Sequence, residues 1–353
     1  MLLIDGHLDL AMNALNWNRD LRRGVHEIRA QEAGEGMTEK GRAAGTVSFP
    51  ALRRAEAVVS LATVIARVQQ PESRLPGYRT HEIAYAQAQG QLAYYRELER
   101  QGVLRLLTDW AALQRQLDDW RADPATTPLG IILCMEGADP IVAPEQARAW
   151  WDDGLRVVGL AHYGPSAYAK GTEAAGPLSD KGRELLAEME RLGLILDLSH
   201  LTDQSFWEAL ERFHGTVLAS HSNCRALVPG DRQLSDEMIR ALVEREAVIG
   251  AVLDAWMLAL DWVRGVTTNE HVTLEAVVDN IDHVCQLAGD ARHAAIGSDL
   301  DGGYGIEQTP NDLDTIVDLQ KIPELLRRRG YGEADIEGIM YRNWLSLFQR
   351  AWV

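Results

Sequence analysis

The sequence predicts an α/β fold, a (β/α)8 TIM barrel with extra C-terminal helices, built as one domain over residues 1–353. Three observations carry this. Eight short apolar runs alternate with helical segments, the pattern of a parallel sheet with crossover helices. Six of those runs end in His, Asp or Glu. A barrel gathers the C-terminal ends of all its strands at one mouth, which an open sheet does not do. No internal repeat, low-complexity tract or linker divides the chain.

The first run, Leu2-Leu3-Ile4-Asp5-Gly6-His7-Leu8-Asp9, reads as a buried strand ending in His-x-Asp. A period of two puts His7 and Asp9 on one side, within reach of one ion. Residues 13–45 are rich in Arg, Glu and Gly with little periodicity, and read as a long loop at the rim of a site. Residues 57–64 form the second strand, and residues 81–101 and 108–121 read as helices. After Pro124, Pro128 and Gly130 comes the third strand, 131–137, which carries Glu136 at its end. A helix over 144–153 starts on a proline, where the missing N–H costs nothing. The fourth strand, 155–162, ends in His162, and the helix 179–192 follows. Gly193 opens the fifth strand, 194–200, ending in His200; after the helix 203–213, the sixth, 216–221, ends in His221. A helix over 236–245, the seventh strand over 247–252 and a helix over 273–288 lead to the eighth, 294–299, ending in Asp299. Residues 312–352 read as helices packed on the outside.

Composition narrows the class. At 46% hydrophobic and 25% charged residues the chain is an ordinary globular protein, not a disordered one. A net charge of −17 argues against nucleic acid or an anionic membrane as partner. It does not reveal the substrate, because a basic pocket can sit within an acidic shell; a small-molecule partner is expected from the candidate site, with room for a homodimer. The most apolar window, 57–66, is half the ~20 residues of a membrane span. Cys134, Cys224 and Cys285 are odd in number and far apart, without a CxxC, which favours a reducing compartment. With no leader read at the start, a cytoplasmic protein is expected.

His7, Asp9, Glu136, His200 and His221 supply three imidazoles and two carboxylates, a donor set suited to zinc or a similar borderline first-row ion. Glu136 can bridge two ions, with His7 and Asp9 on one and His200 and His221 on the other. Two ions roughly 3.5–4 Å apart can hold a bridging hydroxide and polarise a carbonyl, so no Ser or Cys nucleophile is needed. Asp299 is placed to take a proton and return it to a leaving amine. Asp301 competes with it, since Asp-Leu-Asp puts both on one side, but Asp299 ends the strand. His162 can donate to a developing oxyanion, and Arg232 can fork onto a substrate carboxylate. His26, His81, His214, His271, His283 and His293 read as surface or helix residues, and Cys134 and Cys224 as packing residues.

Asp5-Gly6-His7-Leu8-Asp9-Leu10, Met135-Glu136-Gly137, Leu198-Ser199-His200, Ser220-His221-Ser222-Asn223-Cys224-Arg225-Ala226 and Gly297-Ser298-Asp299-Leu300-Asp301-Gly302 together resemble the membrane (renal) dipeptidase family, zinc peptidases of the amidohydrolase superfamily. The resemblance covers almost the whole chain in order, and Tyr341-Arg342-Asn343-Trp344-Leu345 resembles the family's closing helix. It implies a binuclear zinc barrel of the metal-dependent hydrolase type, bridged by Glu136. It also implies proton transfer by Asp299, carbonyl contact by His162, carboxylate binding by Arg232, and hydrolysis of dipeptides, L-Xaa-D-Xaa among them. Leu8 stands where the family has Asn, and Gly230-Asp231-Arg232-Gln233 where it has His-Pro-Arg-Asn-like residues. Neither departure removes a ligand. Two other readings stand beside this one: an amidohydrolase for another small amide, such as an N-acyl amino acid or lactam, and a non-catalytic metal-binding barrel.

Overall fold

The structure, a computed structural model, describes residues 1–71, 73 and 75–353. Its strands are β1 (Leu3–Leu8), β2 (Ala57–Val64), β3 (Leu104–Leu106), β4 (Leu129–Glu136), β5 (Leu155–Gly159), β6 (Ile195–Asp197), β7 (Val217–Leu218), β8 (Ile249–Ala251) and β9 (Ala294–Ile296). Every pairing between them is parallel. Six run in the order β1-β2-β4-β5-β6-β7, and β8 pairs with β9. A parallel bridge from Ala219 to Ile249 joins β7 to β8. Beyond β9, the Asp299 N–H donates to the His7 carbonyl at 3.2 Å and returns the sheet to β1. The result is the eight-strand barrel that the sequence predicts.

Three expectations need correction. First, β3 is an additional strand, paired only with the start of β4, and three residues are too few to show a period. Second, residues 13–45 are not a structureless loop, because helices cover Leu10–Asn16 and Val25–Gly34. The second of these hides Glu32 beside Val25 and Ile28 on its buried face, and Glu32 accepts from Arg19 Nε at 2.8 Å. A helix whose inward face carries an ion pair shows no apolar stripe. Third, His293 is buried rather than at the surface, with Nδ1 2.8 Å from the Ala247 carbonyl. The three cysteines are free and buried, as packing residues should be.

The helices stop and start where their caps dictate. Ser179, Thr202 and Ser235 accept from backbone N–H groups at the start of Asp180–Leu192, Asp203–Arg212 and Asp236–Glu244. The tail does more than pack on the outside. Trp344, on the helix Asn343–Trp352, is fully buried and donates through Nε1 to the Ile296 carbonyl at 2.9 Å. Asn343 donates to the Ala291 and Ala294 carbonyls at 2.6 and 2.7 Å. These side chains satisfy carbonyls in β9 and just before it. A Cβ at Gly6 would lie 2.6 Å from the Trp344 ring, so only glycine lets the indole into the seam between β1 and β9.

Candidate metal centre and active site

One spacing places most of the site. β2, β5, β6, β7, β8 and β9 end at Val64, Gly159, Asp197, Leu218, Ala251 and Ile296. Three residues further on stand Arg67, His162, His200, His221, Asp254 and Asp299. The remaining chemistry comes from His7 inside β1, Asp9 just beyond it and Glu136 at the end of β4. His200 and Asp299 take left-handed backbone, with φ of 66° and 56°. Such conformations cost roughly 1–3 kcal/mol in a non-glycine residue and concentrate at functional sites. They fall just beyond β6 and β9, where the extended backbone gives way before the apolar runs end.

The five expected ligands converge on Glu136. Its Oε1 lies 3.6 Å from His7 Nε2, 3.2 Å from His200 Nε2 and 3.4 Å from His221 Nε2. His200 Nε2 and His221 Nε2 are 3.0 Å apart, and His7 Nε2 is 3.9 Å from Asp9 Oδ1. Donors held at ~2.1 Å around a tetrahedral ion stand about 3.4 Å from one another, so these separations fit shared coordination. Two buried atoms support it: among the described residues, His7 Nε2 and Glu136 Oε2 have no hydrogen-bond partner. Buried polar atoms left unpaired cost about 1–3 kcal/mol each, which a cation between them relieves.

The imidazoles are turned for this task. Ser220 Oγ donates to Asp197 Oδ2 at 2.5 Å, so towards His221 Nδ1, 2.7 Å away, it accepts. Thr172 Oγ1 does the same, donating to the His200 carbonyl at 3.3 Å and accepting from His200 Nδ1 at 3.0 Å. Both rings then carry their proton on Nδ1 and present a lone pair at Nε2. The Thr63 hydroxyl donates to Asp9 Oδ1 and fixes that carboxylate.

Electrostatics agrees with the geometry. Burial holds His200 and His221 well below the usual histidine range, as neutral ligands require. Burial would lift Glu136, but the surrounding imidazoles, His162 and His7 foremost, keep it well below the carboxylate range. Burial would likewise depress His7, yet Glu136, Asp9 and Asp299 outweigh it and push His7 up to about 10. Carboxylates that hold a proton there so firmly also hold a metal cation. Burial raises Asp299 well above an ordinary carboxyl.

A cavity of about 370 Å³ opens over this cluster, lined among others by Asp9, Glu136, His162, His200, Arg232 and Asp299. The two competing aspartates separate cleanly. Asp299 keeps 17% side-chain exposure in the cavity, with Oδ1 3.9 Å from His7 Nε2. Asp301 is sealed off, accepting from Thr46 N and Oγ1 at 2.7 and 2.8 Å and from Val47 N at 3.0 Å. His162 Nε2 lies 3.6 Å from Glu136 Oε1. Arg232 is buried and donates to the His221 carbonyl at 2.7 Å and to Ser222 Oγ at 3.3 Å. Among the described residues it pairs with no carboxylate, so it is not a surface ion pair.

Among the lining residues that sequence reasoning missed are Arg67, Tyr163, Asp254 and Arg264. Arg67 Nη1 meets His162 Nδ1 at 2.6 Å, Arg264 stacks over Trp256 at 4.6 Å, and Asp254 accepts from Gln308 at 2.6 Å. The second and seventh apolar runs end in no ligand-type residue; counted from the observed ends of β2 and β8, the offset of three leads to Arg67 and Asp254.

Comparison with known proteins agrees with the motifs. The family model for membrane dipeptidase, peptidase family M19, matches residues 1–352. A Klebsiella pneumoniae protein described only as uncharacterized, in the pqqA 5′ region, is 28% identical over 74% of this chain and 95% of its own length. The Claviceps purpurea dipeptidase tcpJ is 32% identical over 56% of this chain, a match spanning 44% of its own length. The chain thus spans about half the length of the curated dipeptidases it matches. Among solved structures, a Rhodobacter sphaeroides metallopeptidase bound to a phosphinate mimic of L-Ala-D-Ala shares the fold, with a TM-score of 0.81 at 23% identity over 100% of this chain and 99% of that one. The structure of dipeptidase AC, a metallopeptidase, superposes with a TM-score of 0.82 at 22% identity over 100% of this chain and 99% of that one. With its whole length matched and its buried donors converging on Glu136, the chain belongs to the membrane dipeptidase family, peptidase family M19.

Proposed function

We propose that this protein is a zinc-dependent dipeptidase that holds two ions. His7 and Asp9 serve one, His200 and His221 the other, and Glu136 stands between them. The observation that carries the reading is the convergence of three imidazole nitrogens on one Glu136 oxygen, beside a second oxygen that has no hydrogen-bond partner among the described residues. When bound, the ions lower the pKa of water to near neutrality and polarise the scissile carbonyl. The chain's residues do the rest. Asp299 takes the proton released by water and hands it to the departing amine. His162 points Nε2 at the carbonyl oxygen as negative charge develops there. Arg232, paired with no carboxylate among the described residues, takes the substrate's C-terminal carboxylate.

A dipeptide suits the cavity, whose volume of about 370 Å³ is at the small end of ligand sites. The L-Ala-D-Ala mimic in the Rhodobacter sphaeroides relative supports including a D-residue at the C-terminal side. The test is amine release by zinc-loaded protein from a panel of L-Xaa-L-Xaa and L-Xaa-D-Xaa dipeptides. Turnover that Asp299→Asn abolishes is expected. Silence across the panel from protein carrying two zinc ions would sink the reading and turn the search to N-acyl amino acids and lactams.

A further inference from the structure

His162 belongs by position to the same cluster as the metal-binding imidazoles. With Glu136 and His200 it forms a group whose donor atoms lie within 4.8 Å of one another, close enough to share an ion. What separates it from them is the group behind its ring. His200 and His221 have hydroxyl oxygens at Nδ1 that accept a hydrogen bond. His162 has Arg67 Nη1 at 2.6 Å. A guanidinium has only donors and stays protonated, so His162 Nδ1 must be the acceptor. The ring proton then sits on Nε2, facing the cavity, where it can be given to an oxygen but leaves no lone pair for a metal.

We propose that Arg67 is the positioning residue that fixes His162 as a hydrogen-bond donor and excludes it from the metal site. The inference rests on the reading of His162 as the carbonyl contact and names what makes it so.

The fold registers the two residues against each other. Gln91, buried on the helix His81–Arg100, accepts from Ile65 N and donates to the Ile65 carbonyl, both at 2.8 Å. The chain is thus held two residues before Arg67. Buried Asp139 holds it one residue after, accepting from Val68 N through Oδ2 at 2.8 Å. The other oxygen of Asp139 accepts from Ser166 Oγ at 2.8 Å and Ala167 N at 3.1 Å, in the loop that carries His162. One carboxylate therefore ties the Arg67 segment to the His162 segment. Such double anchoring is what a preset side-chain contact requires.

The experiment uses the full-length, zinc-loaded protein and two readouts. Nitrogen-15 NMR of the histidine rings, with His162 assigned by its absence in His162→Gln, is expected to show the proton on Nε2 in the native protein. Kinetics on the most rapidly hydrolysed dipeptide of the panel should show Arg67→Met losing about 10–100-fold in kcat with KM within about threefold of native, the usual size of such an outer contact. Arg67→Lys keeps one donor and should recover most of the loss. A native His162 protonated on Nδ1 overturns the inference, whatever the variants do. So does an Arg67→Met protein with native kcat while His162→Gln is impaired. If the native protein hydrolyses no dipeptide, the functional reading fails and the ring proton alone decides this one.

Discussion

Asp299 and Asp301 are two residues apart on one loop, both with left-handed backbone, and their surroundings assign them different work. Asp299 opens into the cavity, so Asp299→Asn should cut turnover by about 10²–10⁴-fold, the worth of a general acid–base group, with zinc content unchanged. Asp301 has every acceptor occupied by Thr46 and Val47. Asp301→Asn turns one acceptor into a donor facing an N–H, and should cost about 1–3 kcal/mol of stability. Equal kinetic damage from both changes, measured on folded protein, would refute the assignment. Asp254 offers a pH test. Burial raises its pKa from 3.8 to about 6. A raised carboxyl contributes stability that is complete below pH 4 and lost as pH climbs through 6. Asp254→Asn should therefore raise Tm over native at pH 7.5 and match it at pH 4. A gain that is the same at both pH values would contradict the shift.

Among the elements, the tail helix is the most exposed to test. Trp344 fills the seam between β9 and β1 and satisfies the Ile296 carbonyl. Trp344→Phe keeps most of the volume but removes the donor, and denaturant unfolding should show a loss of about 1–3 kcal/mol. Trp344→Ala leaves a cavity as well, and about 3–5 kcal/mol is expected. If the two variants unfold alike, the donor rather than the filling matters. Element by element, the sequence reading followed the physics of burial. Apolar runs such as Ala57–Val64, buried along their whole length, were legible to the residue. The helix Val25–Gly34 was not, because its buried face holds Glu32 for Arg19 and breaks the apolar period. β3 was hidden by its length.

At the scale of the molecule, the site is legible where the ligand-type residues follow apolar runs closely, as in His200, His221 and Asp299. Arg67 and Asp254 escaped because nothing in a short apolar run says how far beyond its end the barrel mouth lies. The constant offset of three residues, visible only with the ladders in hand, supplies that distance. The net charge of −17 gave no sign of the further cations Lys40, Arg67 and Arg264, which line the cavity with Arg232 inside an acidic shell. The most direct test of the central claim is a zinc titration of chelator-stripped protein, following bound metal and dipeptide turnover together. Turnover that reaches its maximum at two ions per chain, and that Glu136→Gln abolishes with loss of metal, is the expected result. Full turnover with one ion or none, or a Glu136→Gln protein that keeps both zinc and activity, would contradict it.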